Sequence, residues 1–494
     1  MSMNRTRTWR TAACLLAVLA AASPRLLRAQ GELRLTLRDA LAMAVQQGPQ
    51  ARIALGTRDA ARARDHVAMN QYLPSLSVGG TSVPSITRSI TPVIQPDGTT
   101  LYRPLQQTTA GLTASIVQRV PWTNTTLNIA SGLNQVQVNG TAGGGRTWSS
   151  VPLQLSLTQP LFRANTYKWD VRQQALRITL AERRFLESRE DLALAVTNAF
   201  FDVHGTALAA ANAAKNATTN DTLFTLNKGR LEVGKIGEND LLQSELALLR
   251  SRSSLADALL AHQRALAQFR LVLSLAPGTP VSIVVSDSVP SFDADTTLAV
   301  AQARRNAASM TDAEANTVQA ERALSEARWN TGPGGNLQVS YGYNNTAGTA
   351  ADAYKDLRDA QQLQVGVQIP VWQWGTHGAQ VQAAKSERMS AQTSAQNLRN
   401  QVELTARFAA LQLGQARRAL QIAAKADTVA AKRFEVALNR YGISRITIDN
   451  LYIAQSEKDQ ALTAYVQALR GYWQAYFQLR KATLYDFERG EVLR

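Results

Sequence analysis

The chain has one cysteine in 494 residues, Cys14. A lone thiol excludes a disulfide framework and a cysteine-based zinc cluster. An exported protein built this way has to be held by packing or assembly. Histidine is also scarce. His66, His204, His262 and His377 stand far apart and share no metal-ligand spacing. No serine sits in a nucleophile-elbow motif. "GTAGGGR" (Gly140 to Arg146) lacks the Lys-Ser/Thr that completes a phosphate loop and reads as a turn between strands. Neither an enzyme activity nor a cofactor or metal site is expected. Long apolar runs are missing as well. Beyond the first segment there is no stretch of about 18 apolar residues, which excludes a transmembrane helix there. A β-barrel stays open, because its membrane strands are written as short alternating runs.

The first segment reads as an address rather than as part of the fold. Arg5, Arg7 and Arg10 form a basic head, "CLLAVLAAA" (Cys14 to Ala22) is a short apolar run, and a cleavage site fits near Ala29. This pattern predicts a secretory signal over residues 1–29. Cys14 lies inside the apolar run and not after it, so lipidation is not expected. The formal charge is +16, and five arginines of the signal account for part of it. The remaining Lys and Arg are interspersed with Asp and Glu along helix-like stretches. They read as solvated helix faces with some contact to anionic membrane, and no nucleic-acid partner is expected.

What is present is a repeat. "LSLTQPLFRAN" (Leu155 to Asn165) and "VGVQIPVWQWG" (Val365 to Gly375) both read strand, proline, helix, 210 positions apart. The same offset links Phe224 to Phe434, Arg230 to Arg440 and Leu241 to Leu451. The starts of the two halves, at Leu37 and Leu298, are offset by 261, so the first copy carries 51 extra residues in its strand region. Each half reads as a helix of about 35 residues, strands, a helix of about 60, a glycine break, and a helix of about 35; those helices would span about 50, 90 and 50 Å.

The expected first repeat covers 30–297, with helix 37–70, strand region 75–162, helices 164–228 and 239–275, and an equatorial segment 276–297. The second covers 298–494, with helix 298–330, strand region 335–372, helices 374–438 and 449–482, and a C-terminal tail. In the long helix of the first copy, positions 171, 175, 178, 182, 185, 189, 192, 196, 199 and 203 follow a 4-3 spacing, and eight of the ten are apolar. That spacing predicts a coiled-coil seam.

The strand regions alternate. "NLQVSYGY", "QLQVGVQIPVW", "GLTASIVQRV" and "VPLQLSLTQPLF" place Ser, Thr, Gln and Gly on one set of positions and Leu, Val, Ile and aromatics on the other. A barrel in a membrane needs this pattern, lipid on one side and water on the other. Trp122, Trp148, Tyr341, Tyr343, Trp372 and Trp374 cluster near strand ends, where a membrane-interface girdle would fall. Two regions of two strands each cannot close a barrel, and open edges cannot face lipid, so several copies must contribute strands.

With these marks in place, the chain resembles the TolC-type outer-membrane efflux protein family. The resemblance rests on "LTLRDALAMAVQQGP", "LPSLSV", "LTQPLF", "RLEVGKIGENDLLQSE" and "FEVALNRYGISRITIDNLYIAQSE", in that order across nearly all of the chain after the signal. It implies an α+β membrane protein with an internal two-fold repeat. A trimeric outer-membrane β-barrel, twelve-stranded with four strands from each copy, would continue into a long periplasmic α-helical barrel. The first strand region is long enough for four strands instead of two, which would make eighteen in all. The implied function is the passive exit channel of a tripartite efflux pump or type I secretion system. Its implied partners are a periplasmic adaptor protein, an inner-membrane pump and outer-membrane lipid.

In the family a glycine and, six positions on, an aspartate mark the helix turns; here they are Gly234 and Asp240. The second copy has Ser444 and Asn450 at those positions, with Gly442 and Asp449 displaced from them. The implied periplasmic gate candidates are Asp240, Asp449 and Asn450. The implied adaptor-contact turns hold Val233, Gly234 and Ile236, then Arg440, Gly442, Ser444, Arg445 and Ile446. Capping of the following helix is the bland role for either aspartate. A periplasmic coiled-coil scaffold without a pore is the alternative function, and it would have no use for alternating strands with aromatic ends.

Overall fold

The computed structural model describes residues 33–81, 84–140, 145–285, 289–290 and 292–494. The signal expected over 1–29 lies outside them. In chain order the elements are β1 (Leu33–Leu35), α1 (Leu37–Gln47), α2 (Pro49–Asn70), β2 (Ser75–Gly80), β3 (Ser85–Ile94), β4 (Thr100–Val120), β5 (Thr125–Gly140), β6 (Gly145–Leu161) and α3 (Thr166–Glu232). Then follow α4 (Glu238–Val272), β7 (Val281–Ile283), α5 (Thr296–Asn306), α6 (Ala308–Asn330), β8 (Gly334–Ala347), β9 (Arg358–Gln368), α7 (Thr376–Gly442), α8 (Ile448–Thr483), β10 (Tyr485–Asp486) and β11 (Glu491–Val492). α3 and α7 are each 67 residues long, and both ends of the pair keep the offset of 210. Both run past the expected ends at 228 and 438. Gly229 sits inside α3 without ending it, at the modest cost a helical glycine carries.

Each expected leading helix is two helices. The first breaks between α1 and α2, where Gly48 is extended and Pro49 opens α2. A proline fits the first helical position because its missing N–H would have no partner there. The second breaks at Ala307, which has no proline to explain it. Instead the freed N–H of Ala308 donates to Glu187 Oε1 at 3.1 Å, so the side chain of α3 satisfies the new helix start.

The chain divides into two compact units. One takes residues up to Ala51, Leu192–Ser291 and Arg417–Gln474; the other takes Arg52–Asp191, Phe292–Ala416 and Ala475–Arg494. In the first unit, β1 pairs parallel with β7. Val196, Phe200, Val203, Phe269 and Leu273 are buried, so the expected seam is realised over this part of α3. A second cluster joins Leu223 of α3 to Phe434, Ala437 and Tyr441 of α7 and to Ile448, Leu451 and Ala454 of α8.

The second unit holds a seven-stranded antiparallel sheet in the order β2-β4-β5-β6-β8-β9, with β3 also paired to β4. β2 lies along residues 112–117 of β4 and β3 along 100–109, so the two share one track. This corrects the expected four strands: the chain supplies six tracks, four of them from the first strand region. The 51 extra residues make room for the added hairpin of β4 and β5. Its turn, Pro121–Asn124, places Asn124 in the left-handed region at φ 62°, which asparagine tolerates. The expected coiled-coil seam also shifts in this unit. Val171 and Ala175 are exposed while Gln173 and Leu180 are buried. Here α3 meets α6 through polar pairs: Arg322 Nη1 donates to Asp170 Oδ1 at 2.5 Å, and Gln173 bonds Gln319.

The C-terminal residues are pinned by a buried charge cluster in the same unit. Arg480 reaches Glu190 at 3.1 Å and Asp486 at 3.3 Å, and its guanidinium lies over the Tyr476 and Phe477 rings. Burial pushes the Glu190 carboxyl above its ordinary range, against the pull of Arg480. Burial likewise pushes the Tyr476 phenol up to about 12. Arg480→Gln leaves two buried carboxylates facing each other, and a loss of about 3–5 kcal/mol of stability is expected in chemical denaturation. Glu190→Gln costs much less. Because the folded chain holds the Glu190 proton more tightly than the unfolded one, that group favours folding at acid pH, and its contribution is lost as pH rises. Glu190→Gln should therefore flatten this part of the stability–pH profile. A variant as sensitive to pH as the parent would refute the account.

Candidate functional site

The sheet has two faces, and among the described residues no α-helix lies across either one; only the short helical turn Asp352–Tyr354 packs on β6 and β8. One row of side chains across it reads Leu76, Ile116, Ile129, Leu155, Tyr341, with Gln361 at its end. The next on the same face reads Gln118, Leu127, Leu157, Val339, Leu363. Period-two alternation puts the polar set opposite. One row there reads Ser75, Val117, Asn128, Ser156, Ser340, Gln362, and another Arg119, Thr126, Thr158, Gln338, Gln364. The apolar face is open: Leu76, Leu155 and Leu363 are 70%, 46% and 72% exposed. A soluble protein rarely leaves so large a contiguous patch in water.

The expected girdle residues fall at several levels of this sheet. Trp122 lies in the β4–β5 turn, and Trp372 and Trp374 follow β9 with their rings edge to face at 5.2 Å. All three are strongly exposed. Tyr341 and Tyr343 stand on the apolar face of β8, their hydroxyls 3.2 Å apart. Gly335 to Tyr343 is about 26 Å of strand, close to the height of a barrel's apolar band. Trp148 is half-buried on β6, in a shallow hollow with Leu112, Leu133 and Gln135.

The helix turns form the second feature, in the first unit. α3 ends with Gly234 N–H donating to Leu231 O and Lys235 N–H to Arg230 O. α7 ends with Ser444 N–H donating to Tyr441 O and Arg445 N–H to Arg440 O. These bonds are the same pair at an offset of 210. Gly234 sits at φ 70° and Ser444 at φ 58°. Ser444 therefore takes the left-handed position of the second turn, and Gly442 is simply the last residue of α7. The expected displacement of the second turn is a displacement of glycine in the sequence and not of the backbone.

Neither aspartate is a capping residue. α4 starts at Glu238 after Gly237, which puts Asp240 third in the helix; α8 starts at Ile448, which puts Asp449 second. Both suit the positive end of a helix dipole. Their surroundings differ. Asp449 accepts a hydrogen bond from Gln243 of α4, whereas the half-exposed Asp240 carboxylate has no side-chain partner among the described residues. Asn450 donates to Thr447 Oγ1 at 3.0 Å. Lys235, Arg440 and Arg445 are exposed, and Ile236 and Ile446 are half-buried.

Sequence reading missed four residues here. Arg230 Nη2 donates to the α7 carbonyls of Tyr441 at 3.3 Å and Gly442 at 3.0 Å, and its guanidinium lies over the Tyr441 ring. Tyr441 in turn donates to the buried Asn227 at 2.7 Å. Ile443 is 64% exposed, matching Val233 at 67%. The repeat offset alone would have found Ile443. Arg230 and Tyr441 lie inside the quoted turn stretches, but nothing in those stretches marks their contact, and Asn227 lies outside them.

Helix faces are the third feature. Leu404, Phe408, Leu411, Ile422, Val429 and Val436 of α7 are all exposed, at positions that keep a 4-3 heptad register. Leu242, Leu246, Leu249 and Leu260 of α4 do the same. Gln415, Arg418, Lys425 and Lys432 interrupt the α7 stripe, and its apolar members are unpaired among the described residues.

No known protein-family profile and no curated protein matches the chain. Solved structures do. The CmeC outer membrane channel of Campylobacter jejuni is 15% identical, with a TM-score of 0.65, over 93% of this chain and 87% of that one. The outer membrane protein VceC of Vibrio cholerae is 13% identical, TM-score 0.63, over 90% and 95%. The open-state MtrE outer membrane channel of Neisseria gonorrhoeae is 14% identical, TM-score 0.60, over 90% and 88%. The chain has the fold of these channels.

The two turns make a paired test of backbone strain. A non-glycine residue in the left-handed region costs about 1–2 kcal/mol. Ser444→Gly should raise the denaturation midpoint by the equivalent of about 0.5–1 kcal/mol, and Gly234→Val should lower it by about 1–2 kcal/mol. A destabilising Ser444→Gly would contradict the turn geometry.

Proposed function

We propose that the chain is a TolC-type exit channel: a homotrimer in the outer membrane whose strands close one barrel and whose helices form a periplasmic tube. The observation that carries this reading is the sheet with one apolar and one polar face, neither crossed by an α-helix among the described residues, and two open edges. Lipid against the apolar face and water against the polar one satisfy it, and closure with further copies satisfies the edges. Six tracks from each of three copies make an eighteen-stranded barrel, not a twelve-stranded one. The exposed heptad seams of α4 and α7 supply the matching helix contacts between copies. Likeness to solved outer-membrane channels supports the same placement. A poreless periplasmic scaffold would leave the apolar face in water.

In this reading the channel is passive and is powered by a periplasmic adaptor and an inner-membrane pump. The paired turns are the entrance, with Val233, Ile443, Ile236 and Ile446 offered to the adaptor and Lys235, Arg440 and Arg445 steering an acidic one. Three copies of Asp240 make a carboxylate ring, which favours cations in a narrow aperture. Asp240 is the stronger gate residue because its carboxylate is unengaged, while Gln243 holds Asp449. The clamp of Arg230 on the second turn joins the two repeats within a chain. Repeating it around the ring sets Arg440 over the matching carbonyls of Leu231 and Glu232 in the next copy.

Single-channel recording in planar bilayers tests this directly. Asp240→Asn should reduce cation selectivity, and Asp449→Asn should reduce it less. Unchanged selectivity and leak in both would remove the gate assignment. Leu411→Glu on the α7 seam should abolish the trimer in detergent. A wild-type chain that extracts without detergent as a soluble rod would remove the channel itself.

A further inference from the structure

A second charged feature lies in the unit that holds the sheet. A cavity of about 490 Å³ opens between α3, α5, α6 and α7. Four arginines line it, Arg183, Arg304, Arg305 and Arg399, against a single carboxylate, Glu314. Their engagements differ. Arg304 is spent on Glu403, with Nε at 2.7 Å and Nη2 at 2.6 Å from the same oxygen. Arg183 is held in place: its Nη1 donates to Thr311 Oγ1 at 2.6 Å and to Ala307 O at 3.4 Å, and among the described residues no acid pairs with it. Arg305 is exposed and makes no hydrogen bond or ion pair among the described residues. Arg399 has only its own helix neighbour, Gln396, at 3.3 Å. Three guanidinium charges from three helices thus reach one cavity without a carboxylate partner.

Three unpaired guanidinium charges with one carboxylate, Glu314, in the same wall leave a net positive cavity, and the arrangement is relieved by an anion. The donor geometry indicates which kind. Guanidinium forks arriving from α3, α5 and α7 match an anion with oxygens spread in three dimensions, as phosphate has, better than a planar carboxylate. The Thr311 hydroxyl accepts from Arg183, so its own proton is free to donate into the cavity. The hydroxyls of Thr179 and Thr317 in the same wall are already spent on helix carbonyls. We infer that this cavity is a binding site for a phosphoryl-bearing anion, with Arg183 as the fixed donor and Arg305 and Arg399 as donors that close on it.

A phosphoryl group has two sources here, a lipid headgroup or a molecule free in solution. The helix rise decides between them. Arg183 is about 26 Å along α3 from the helix start at Thr166, next to the strand ends. Headgroups extend only about 5–8 Å beyond the hydrocarbon. The ligand is therefore a free phosphate or phosphate ester. The choice of a free anion over a headgroup rests on the membrane placement proposed for the sheet, whereas phosphate binding itself can be measured on purified protein whether or not it conducts.

The experiment titrates inorganic phosphate into the detergent-solubilised full chain at constant ionic strength, with chloride as the balancing anion, by calorimetry. Arg305→Gln and Arg399→Gln should each weaken binding about tenfold or more, the effect of losing one charge-assisted contact. Glu314→Gln should tighten it by removing the opposing charge. All three residues are at the surface of the cavity, so the variants should fold as the parent does. Phosphate binding that is equal in the parent and in an Arg305→Gln/Arg399→Gln double variant would overturn the site, as would no binding by the parent. A second arm uses vesicles of phosphatidylglycerol against phosphatidylcholine. If the arginine variants lose preference for the anionic vesicles and keep phosphate binding, a lipid headgroup is the ligand and the free-anion assignment fails.

Discussion

The constraint on which the rest depends is backbone hydrogen bonding at the edges of the sheet. β2, β3 and β9 each pair on one side only. In water the free N–H and C=O groups would be solvated, but the apolar face beside them calls for lipid, which offers no partners. A single chain has no answer to this. In the proposed assembly, strands of other copies satisfy these edges, and that closure would give it its symmetry. The unpaired heptad seams of α4 and α7 state the same requirement in another form, as apolar side chains waiting for a helix.

Much of this was legible in the sequence because it is periodic. Alternation along Leu153, Leu155 and Leu157 or Leu363, Val365 and Val367 states which face is apolar without any knowledge of neighbours. The repeat offset of 210 located both long helices and both turns. Strand number was harder to read. The 51 extra residues gave the room for another hairpin, but the pairing of β2 and β3 on one track is a register fact that no local pattern carries. Breaks in the leading helices were half legible: Gly48-Pro49 is a written signal, whereas the break at Ala307 depends on Glu187, more than a hundred residues away.

The turns show where sequence identity misleads about structure. Gly442 drew attention because glycine is the usual residue for a left-handed position. The constant offset pointed to Ser444 instead, and the backbone follows the offset. Hydrogen bonds to the carbonyls of Arg230 and Leu231 in one turn and of Arg440 and Tyr441 in the other fix both turns, and they are indifferent to the side chain. Serine accepts the strain because the surrounding bonds over-determine its conformation. What the sequence could not carry was the asymmetry around that shared backbone. Arg230 finds two carbonyls and an aromatic ring; Arg440, its counterpart, is exposed.

A similar division of work runs along the contact of α3 with α8 in the first unit. Near the turns it is apolar, built on Leu223, Leu451 and Ala454. Farther along it becomes polar. Asn212 and Asn216 donate to Asp459 at 2.6 and 2.8 Å, Lys458 donates to Asn216 at 3.1 Å, and Arg470 bonds both Asn198 and Asp202. Apolar seams reward burial and are tolerant of sliding by a heptad; paired polar groups are not, since a shifted helix would bury them without partners. The polar stretch therefore adds little net stability and fixes the register instead. With register fixed along α3 and α8, the helix starts after the two turns are held at matching heights. In the proposed channel, a ring of carboxylates at one level would need that before electrostatics could act on what passes through it.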